Sequence, residues 1–192
     1  MTSYLLSGPA LEPVLLAEAK VFLRVDDTVE DDFITTLITA ARLHVEGMTG
    51  RALIAQSWRV VCDNWPKDRI VKLPTSPVIS LSAVTVYDVD GAATSLPLAQ
   101  FHPETEVAPA RLFLPGVMAN TPILRERAAI EIDYVAGFGV DASDVPTDLK
   151  QAILSLIGYW YEHRDAVVIA GSGCVVPTGF DQLVAKYRNI RL

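Results

Sequence analysis

The chain has 192 residues, enough for one domain or for one domain carrying a sizeable insertion. Apolar residues make up 51% of it, which supplies a buried core and excludes a disordered chain. Its 23 acidic and 16 basic residues give a formal charge of −7, and this excludes a protein that grips duplex DNA through its phosphates, because that affinity needs a cationic surface.

The N-terminal stretch Met1–Pro13 has neither a basic start nor a long apolar run, so it does not read as a signal peptide. No run approaches the about 18 apolar residues of a membrane span, and no membrane partner is expected. Only two cysteines are present, Cys62 and Cys174, too few for a disulfide framework. Both are expected as free thiols in a soluble protein made in a reducing cytoplasm.

A short helix is expected over Pro13–Arg24, with Leu15, Leu16, Ala19, Phe22 and Leu23 on one face. Thr28 with Asp31 three residues on has the form of a capping box. The second helix, Val29–Met48, carries Phe33, Ile34, Leu37, Ile38, Ala41, His44, Val45 and Met48 at three- and four-residue steps. Glu30, Asp31 and Asp32 complement its dipole, and Gly47 and Gly50 weaken and then stop it.

From Ser57 the period changes to two. Trp58, Val60 and Cys62 share one face of a strand, and short strands are expected at 69–73, 78–81, 83–89, 111–114 and 129–135. Asp90-Gly91 is a tight-turn signal. Most prolines lie between Pro66 and Pro122, as many short strands and loops require. Helical period returns after Gly139. Pro146 opens a helix in which Leu149, Ala152, Ile153, Leu156, Ile157, Trp160 and Tyr161 form a broad stripe, with His163 and Arg164 at its electronegative end. Asp165–Pro177 is apolar but glycine-rich and reads as a loop. A last helix starts near Thr178, with Phe180, Leu183, Val184 and Tyr187 on one side, and the chain ends in a basic tip of Lys186, Arg188 and Arg191. The fold class is therefore α+β. Residues 1–56 and 136–192 form a helical core, with N-terminal and C-terminal helices packed together, and 57–135 form an inserted antiparallel β-rich unit.

Catalytic and metal-binding readings fail residue by residue. Three histidines, none paired at ligand spacing, do not make a metal site. His44 lies on an apolar helix face, His102 sits in a loop, and His163 is explained as a helix-end cation. Cys174 with His163 could in principle form a nucleophilic pair, but Cys174 lies in a Gly-Ser-Gly-Cys loop without the signature of a cysteine enzyme. Gly171-Ser-Gly173 lacks the Lys and hydroxyl of a phosphate loop, and Gly137-Phe-Gly139 lacks a third glycine and an immediate helix. Asp26, Asp27, Glu30, Asp31 and Asp32 contain no calcium-loop pattern and read as a solvated capping cluster. No cofactor, metal or catalytic residue is assigned.

Several segments together resemble the head–tail connector proteins of long-tailed bacteriophages and gene transfer agents, also called adaptor or head-completion proteins. They are Leu23-Arg24-Val25-Asp26, Glu30-Asp31-Asp32-Phe33-Ile34, Ala40-Ala41-Arg42, and Thr49-Gly50-Arg51-Ala52-Leu53-Ile54 followed by Gln56 and Trp58. Further along come Trp65-Pro66, Ile70, Leu73-Pro74, Pro77-Val78, Ala136-Gly137-Phe138-Gly139, Val145-Pro146 and Leu149-Lys150-Gln151-Ala152-Ile153. The set closes with Trp160-Tyr161-Glu162-His163-Arg164, Val176-Pro177 and Tyr187-Arg188. The resemblance runs from about residue 12 to 190, with His163 standing where a polar residue such as Asn is expected. It implies a ring of about twelve copies, closed by one repeated heterologous contact, at the head–tail junction of a phage-like particle. The ring docks under the portal protein, meets a stopper or tail-completion protein on its other side, and lets double-stranded DNA pass without specific binding.

The resemblance also implies that the C-terminal segment reaches the portal. The residues expected there are Val167, Val168, Ile169, Val175, Val176, Pro177, Phe180, Tyr187, Arg188 and Arg191. Arg51, Trp58 and Trp65 are candidates for contacts between subunits. Arg51, Trp58 and Trp160 suit an interface and a core equally well, and the sequence leaves that open. Two other functions remain alternatives: a tail-completion or stopper protein of the same neck, and a small Cys/His hydrolase.

Overall fold

A computed structural model describes residues 1–116, 121–163 and 176–188. The chain divides into two compact units, Met1–Ala10 with Ala55–Phe138, and Leu11–Ile54 with Gly139–Leu192. The first is built on sheets and the second on helices. The class is α+β.

In the sheet unit, β1 (Thr2–Ser7), β2 (Gln56–Cys62), β4 (Val78–Tyr87), β5 (Ala93–Ser95) and β8 (Ile130–Ala136) form a five-stranded antiparallel sheet ordered β1-β2-β8-β4-β5. A second antiparallel sheet has the order β3-β7-β6, from β3 (Ile70–Leu73), β6 (His102–Glu104) and β7 (Ala110–Phe113). Alternation decides the buried faces. Ile130, Ile132, Tyr134 and Ala136 point inward from β8, with Val60 and Cys62 from β2, Val84 and Val86 from β4, and Leu112 from β7. The Tyr134 hydroxyl is buried with its ring and accepts a hydrogen bond from the Thr75 N–H (3.3 Å).

Two of the expected strands, 78–81 and 83–89, are one strand. β4 keeps its partner β8 through both segments by shifting register twice, and such bulges interrupt the period that would mark a single strand. Asp90-Gly91 turns β4 into β5: Gly91 takes a positive φ of 83°, and Asp88 accepts from the Asp90 and Ala92 N–H groups. The N-terminal residues expected in the helical core instead supply β1, an edge strand paired with β2.

In the helical unit, α1 (Leu16–Leu23) ends at Arg24 in the left-handed conformation. Three residues shorter at its start than expected, it buries Ala19 but leaves Leu15 and Phe22 largely exposed. α2 (Asp31–Thr49) stops at Gly50, whose φ of 67° suits glycine. The capping box expected at Thr28 does not form. Glu30 takes the N-cap position without a side-chain cap, and Asp27 accepts from the Val29 N–H instead (3.0 Å). α3 (Thr147–Glu162) buries Leu149, Ala152, Ile153, Leu156, Ile157 and Trp160, the stripe read from the sequence. α4 (Phe180–Val184) buries Phe180 and Val184, and α2 packs against both α3 and α4. Among the described residues, no helix is long and apolar enough to cross a membrane.

Candidate assembly surfaces

The family-like segments of the helical unit meet one another. The Tyr161 hydroxyl donates to Glu30, and the Tyr161 and Phe33 rings lie 6.3 Å apart. Asp31 in the first turn of α2 pairs with Lys20 (2.6 Å), so the acidic cluster is partly an intramolecular clamp. Arg42 is a charge on the buried face of α2. It is held by Glu12 (2.7 Å) and Glu46 (2.9 Å), while Glu46 also accepts from the Leu53 N–H (2.9 Å). That bond fixes the turn in which Ala52, Leu53 and Ile54 are buried. Burial opposes the Arg42 charge, but its carboxylate partners outweigh burial and raise its pKa.

The C-terminal segment is fastened to this unit at two levels. Phe180 is 1% exposed and lies 5.6 Å from the His44 ring, which also meets Trp160 edge-on at 5.9 Å. Burial lowers the pKa of His44, so it packs as a neutral aromatic. Three residues past α4, the Tyr187 hydroxyl donates to Asp148 (2.8 Å) and the Tyr187 carbonyl accepts from Arg51 Nε (3.2 Å). Lys186 reaches the other Asp148 oxygen at 2.7 Å. Burial would raise the Asp148 carboxyl, but the bonds from Lys186, Tyr187 and the Leu149 N–H more than offset it and hold it below the usual range. Burial and the bond to Asp148 push the Tyr187 phenol up. Arg188 pairs with Asp181 on the exposed side.

Of the residues expected at the portal, Phe180 belongs to the core of its own unit. Its ring is closed off by His44 and does not offer a surface, because a helix this short holds position only by burying its largest side chain. Val176, Pro177, Tyr187 and Arg188 are half-buried. Val167, Val168, Ile169, Val175 and Arg191 lie outside the described residues, as does Cys174. Arg51 binds its own chain's Tyr187, and burial lowers its pKa.

Trp58 and Trp65, the other subunit-contact candidates, lie in the sheet unit. Trp58 stands opposite Leu5 of β1 and Tyr134 of β8 on the inward face. Trp65 lies 6.3 Å from Phe101. Both indole N–H groups are covered and have no hydrogen-bond partner among the described residues. Cys62 is 7% exposed and burial pushes its thiol up, the opposite of an activated nucleophile. It borders an open depression of about 310 Å³ with Met1, Asp63, Asn64, Pro66, Ile70 and Val71. No cluster of metal-ligating side chains occurs among the described residues.

Sequence reading did not single out the polar face of the five-stranded sheet. Arg59 forms a bidentate pair with Asp133 (2.6 and 2.7 Å) and reaches Glu131 at 2.7 Å. The bonds to Asp133, with both acids nearby, raise its pKa further. The Tyr87 hydroxyl donates to Glu131 (3.0 Å), and Arg125 lies 4.2 Å over the Tyr87 ring. The signal was present: Arg59 lies between the inward positions Trp58 and Val60, and Glu131 and Asp133 occupy alternate positions of a strand.

The family model for head completion proteins matches residues 14–180. The chain belongs to the head completion protein family. Chains of three solved assemblies are similar over 100% of this protein and 97% of their own length. One is from the neck of an empty gene transfer agent particle computed with C6 symmetry, at 27% identity and a TM-score of 0.83. Another is from the virion of a native gene transfer agent particle, at 27% identity and a TM-score of 0.82. A third is from the neck of a native particle computed with C12 symmetry, at 26% identity and a TM-score of 0.75. No curated protein sequence matches this chain. The head completion family is thus represented here by a helical unit that closes on its own C-terminal segment and a two-sheet unit with a charged outer face.

Proposed function

We propose that this head completion protein is the adaptor subunit of a phage-like neck, a ring of about twelve copies closed by one heterologous contact. The ring joins the portal protein to the tail and continues the DNA channel. The observation that carries this reading is similarity over the whole chain, at 27% identity and a TM-score of 0.83, to a chain from the neck of a gene transfer agent particle. The C12 symmetry of a related neck supports the copy number. The protein works at the head–tail junction after synthesis in the bacterial cytoplasm, and its role is mechanical rather than catalytic. A formal charge of −7 suits a channel wall past which DNA slides without counterion-driven adhesion.

The portal contact is made by the C-terminal segment. Its described part is anchored by Phe180 and clamped through Tyr187 to Asp148 and Arg51. The test is co-purification of the tagged chain with portal protein alone and with tail-side neck proteins alone. Direct retention of the portal is the expected result. Retention of tail-side proteins only would assign the chain to the stopper or tail-completion position instead.

A further inference from the structure

We infer that the open edge of β1 is a subunit-pairing edge, which in the assembled ring hydrogen-bonds to the β5 edge of the next copy. The inference rests on the ring reading above. β1 has β2 on one side and ends the sheet on the other, so one row of its backbone N–H and C=O groups faces outward. Proteins protect such edges with charge, proline, short length or bulges. Thr2–Ser7 contains no charge and no proline, and its one register shift falls after Leu5, leaving Thr2–Leu5 in unbroken pairing. Tyr4, Leu5 and Leu6 are each 44–45% exposed. The edges of the smaller sheet carry protective residues that β1 and β5 lack: β6 has a central Pro103, and β3 an exposed Lys72.

A closing ring needs two different complementary patches on each copy. The two ends of one sheet are such patches. Four antiparallel steps separate β1 from β5, so the two strands run in the same direction. Rotation about an axis along the strands preserves that direction, and β1 would meet the neighbour's β5 in parallel. β5 is Ala-Thr-Ser, with side chains small enough for close approach. Five strands at a spacing of about 4.8 Å span about 24 Å, so twelve copies would close at a diameter of about 90 Å, leaving room for a channel.

The register makes this testable by side-chain face. Tyr4 opposes Arg59, Arg59 opposes Asp133, and Asp133 shares its face with Thr85 and hence Ser95. Thr94 points to the other face. In particles carrying a Cys174→Ser background, with Cys62 remaining buried, Tyr4→Cys combined with Ser95→Cys should cross-link on mild oxidation into a ladder of multimers. Most of the chain should leave the monomer band. Tyr4→Cys alone and Tyr4→Cys with Thr94→Cys should stay monomeric. An incorporated Tyr4→Cys/Ser95→Cys chain that stays monomeric would overturn the inference and leave the neck reading intact. Dimers from Tyr4→Cys alone would also overturn it, because they require a two-fold β1–β1 contact. Absence of the unaltered chain from the head–tail junction, read before oxidation by mass spectrometry of isolated necks, would sink the ring reading and the pairing with it.

Discussion

The helical unit and the sheet unit are held together by different means. Helices α1 to α4 come from distant parts of the chain, and the polar bonds that join them span long separations: Tyr161 to Glu30, Arg42 to Glu12, Arg51 to Tyr187. Glu30 stands at the N-cap of α2 and the Tyr187 carbonyl lies in the turn after α4, so two of the three fix the end of an element. In the sheet unit the backbone ladder already fixes the strands. Its closest ion pairs lie across one outer face, where Arg59 bridges two acids on the neighbouring strand. The difference teaches a division of labour. The helical unit closes on its own tail, while the sheet unit completes its interior and leaves an edge open. Substitutions in the two units should accordingly differ in what they break.

The largest effect is expected where the tail enters the helical core. Phe180→Ala removes a ring that is 1% exposed and leaves a cavity beside His44 and Trp160. Loss of about 3–5 kcal/mol is expected from such a truncation. Urea unfolding followed by Trp160 fluorescence, with Trp58 and Trp65 replaced by Phe, measures it. A loss below about 1 kcal/mol would mean that α4 is not part of this core.

In the sheet unit the matching change is Arg59→Ala. It strips a bidentate partner from Asp133 and leaves Asp133 and Glu131 adjacent on one face. The Arg59 side chain is only 26% exposed, so the bonds are not fully screened. A loss of about 1.5–3 kcal/mol follows from charge-assisted hydrogen bonds of this kind. It should appear in the urea transition reported by Trp58, and added salt should restore part of it by screening the two acids. A salt-independent loss would point to lost packing of the Arg59 stem instead.

What was legible in the sequence follows the same division. The stripes of α2 and α3 were readable because each helix buries one continuous face, and a period of 3.6 survives local irregularity. β2 and β8 were readable because one side is core and the other polar. β1 was not, since an edge strand with most of its residues exposed has no alternation to detect. β5 and β6 are three residues each, shorter than any period that can be counted. The roles of single residues were harder still. Arg51 and Phe180 looked available for partners, yet each is engaged by a residue that local spacing could not bring near. Of the residues expected at the portal, Val176, Pro177, Tyr187 and Arg188 combine a described position with partial exposure.

The smallest effect concerns pH and sharpens the contrast within the helical unit. His44 packs between Trp160 and Phe180, its Nε2 covered and unpartnered, and burial lowers its pKa from the ordinary 6.5. In the unfolded chain it therefore takes up a proton more readily than in the folded one. Stability is full above about pH 6.5 and declines as pH falls through that value, because the unfolded state then binds more protons. A single group limits the slope to about 1.4 kcal/mol per pH unit. Asp148 does not interfere. Its carboxyl is lowered from 3.8, so its contribution is lost only on acidification below that value. Thermal unfolding read through Trp160 should thus weaken between pH 7 and 5 in the natural chain and stay flat in His44→Phe, which keeps an aromatic ring in the same cage. A slope that survives His44→Phe would move the proton uptake to another group and make His44 a packing residue only.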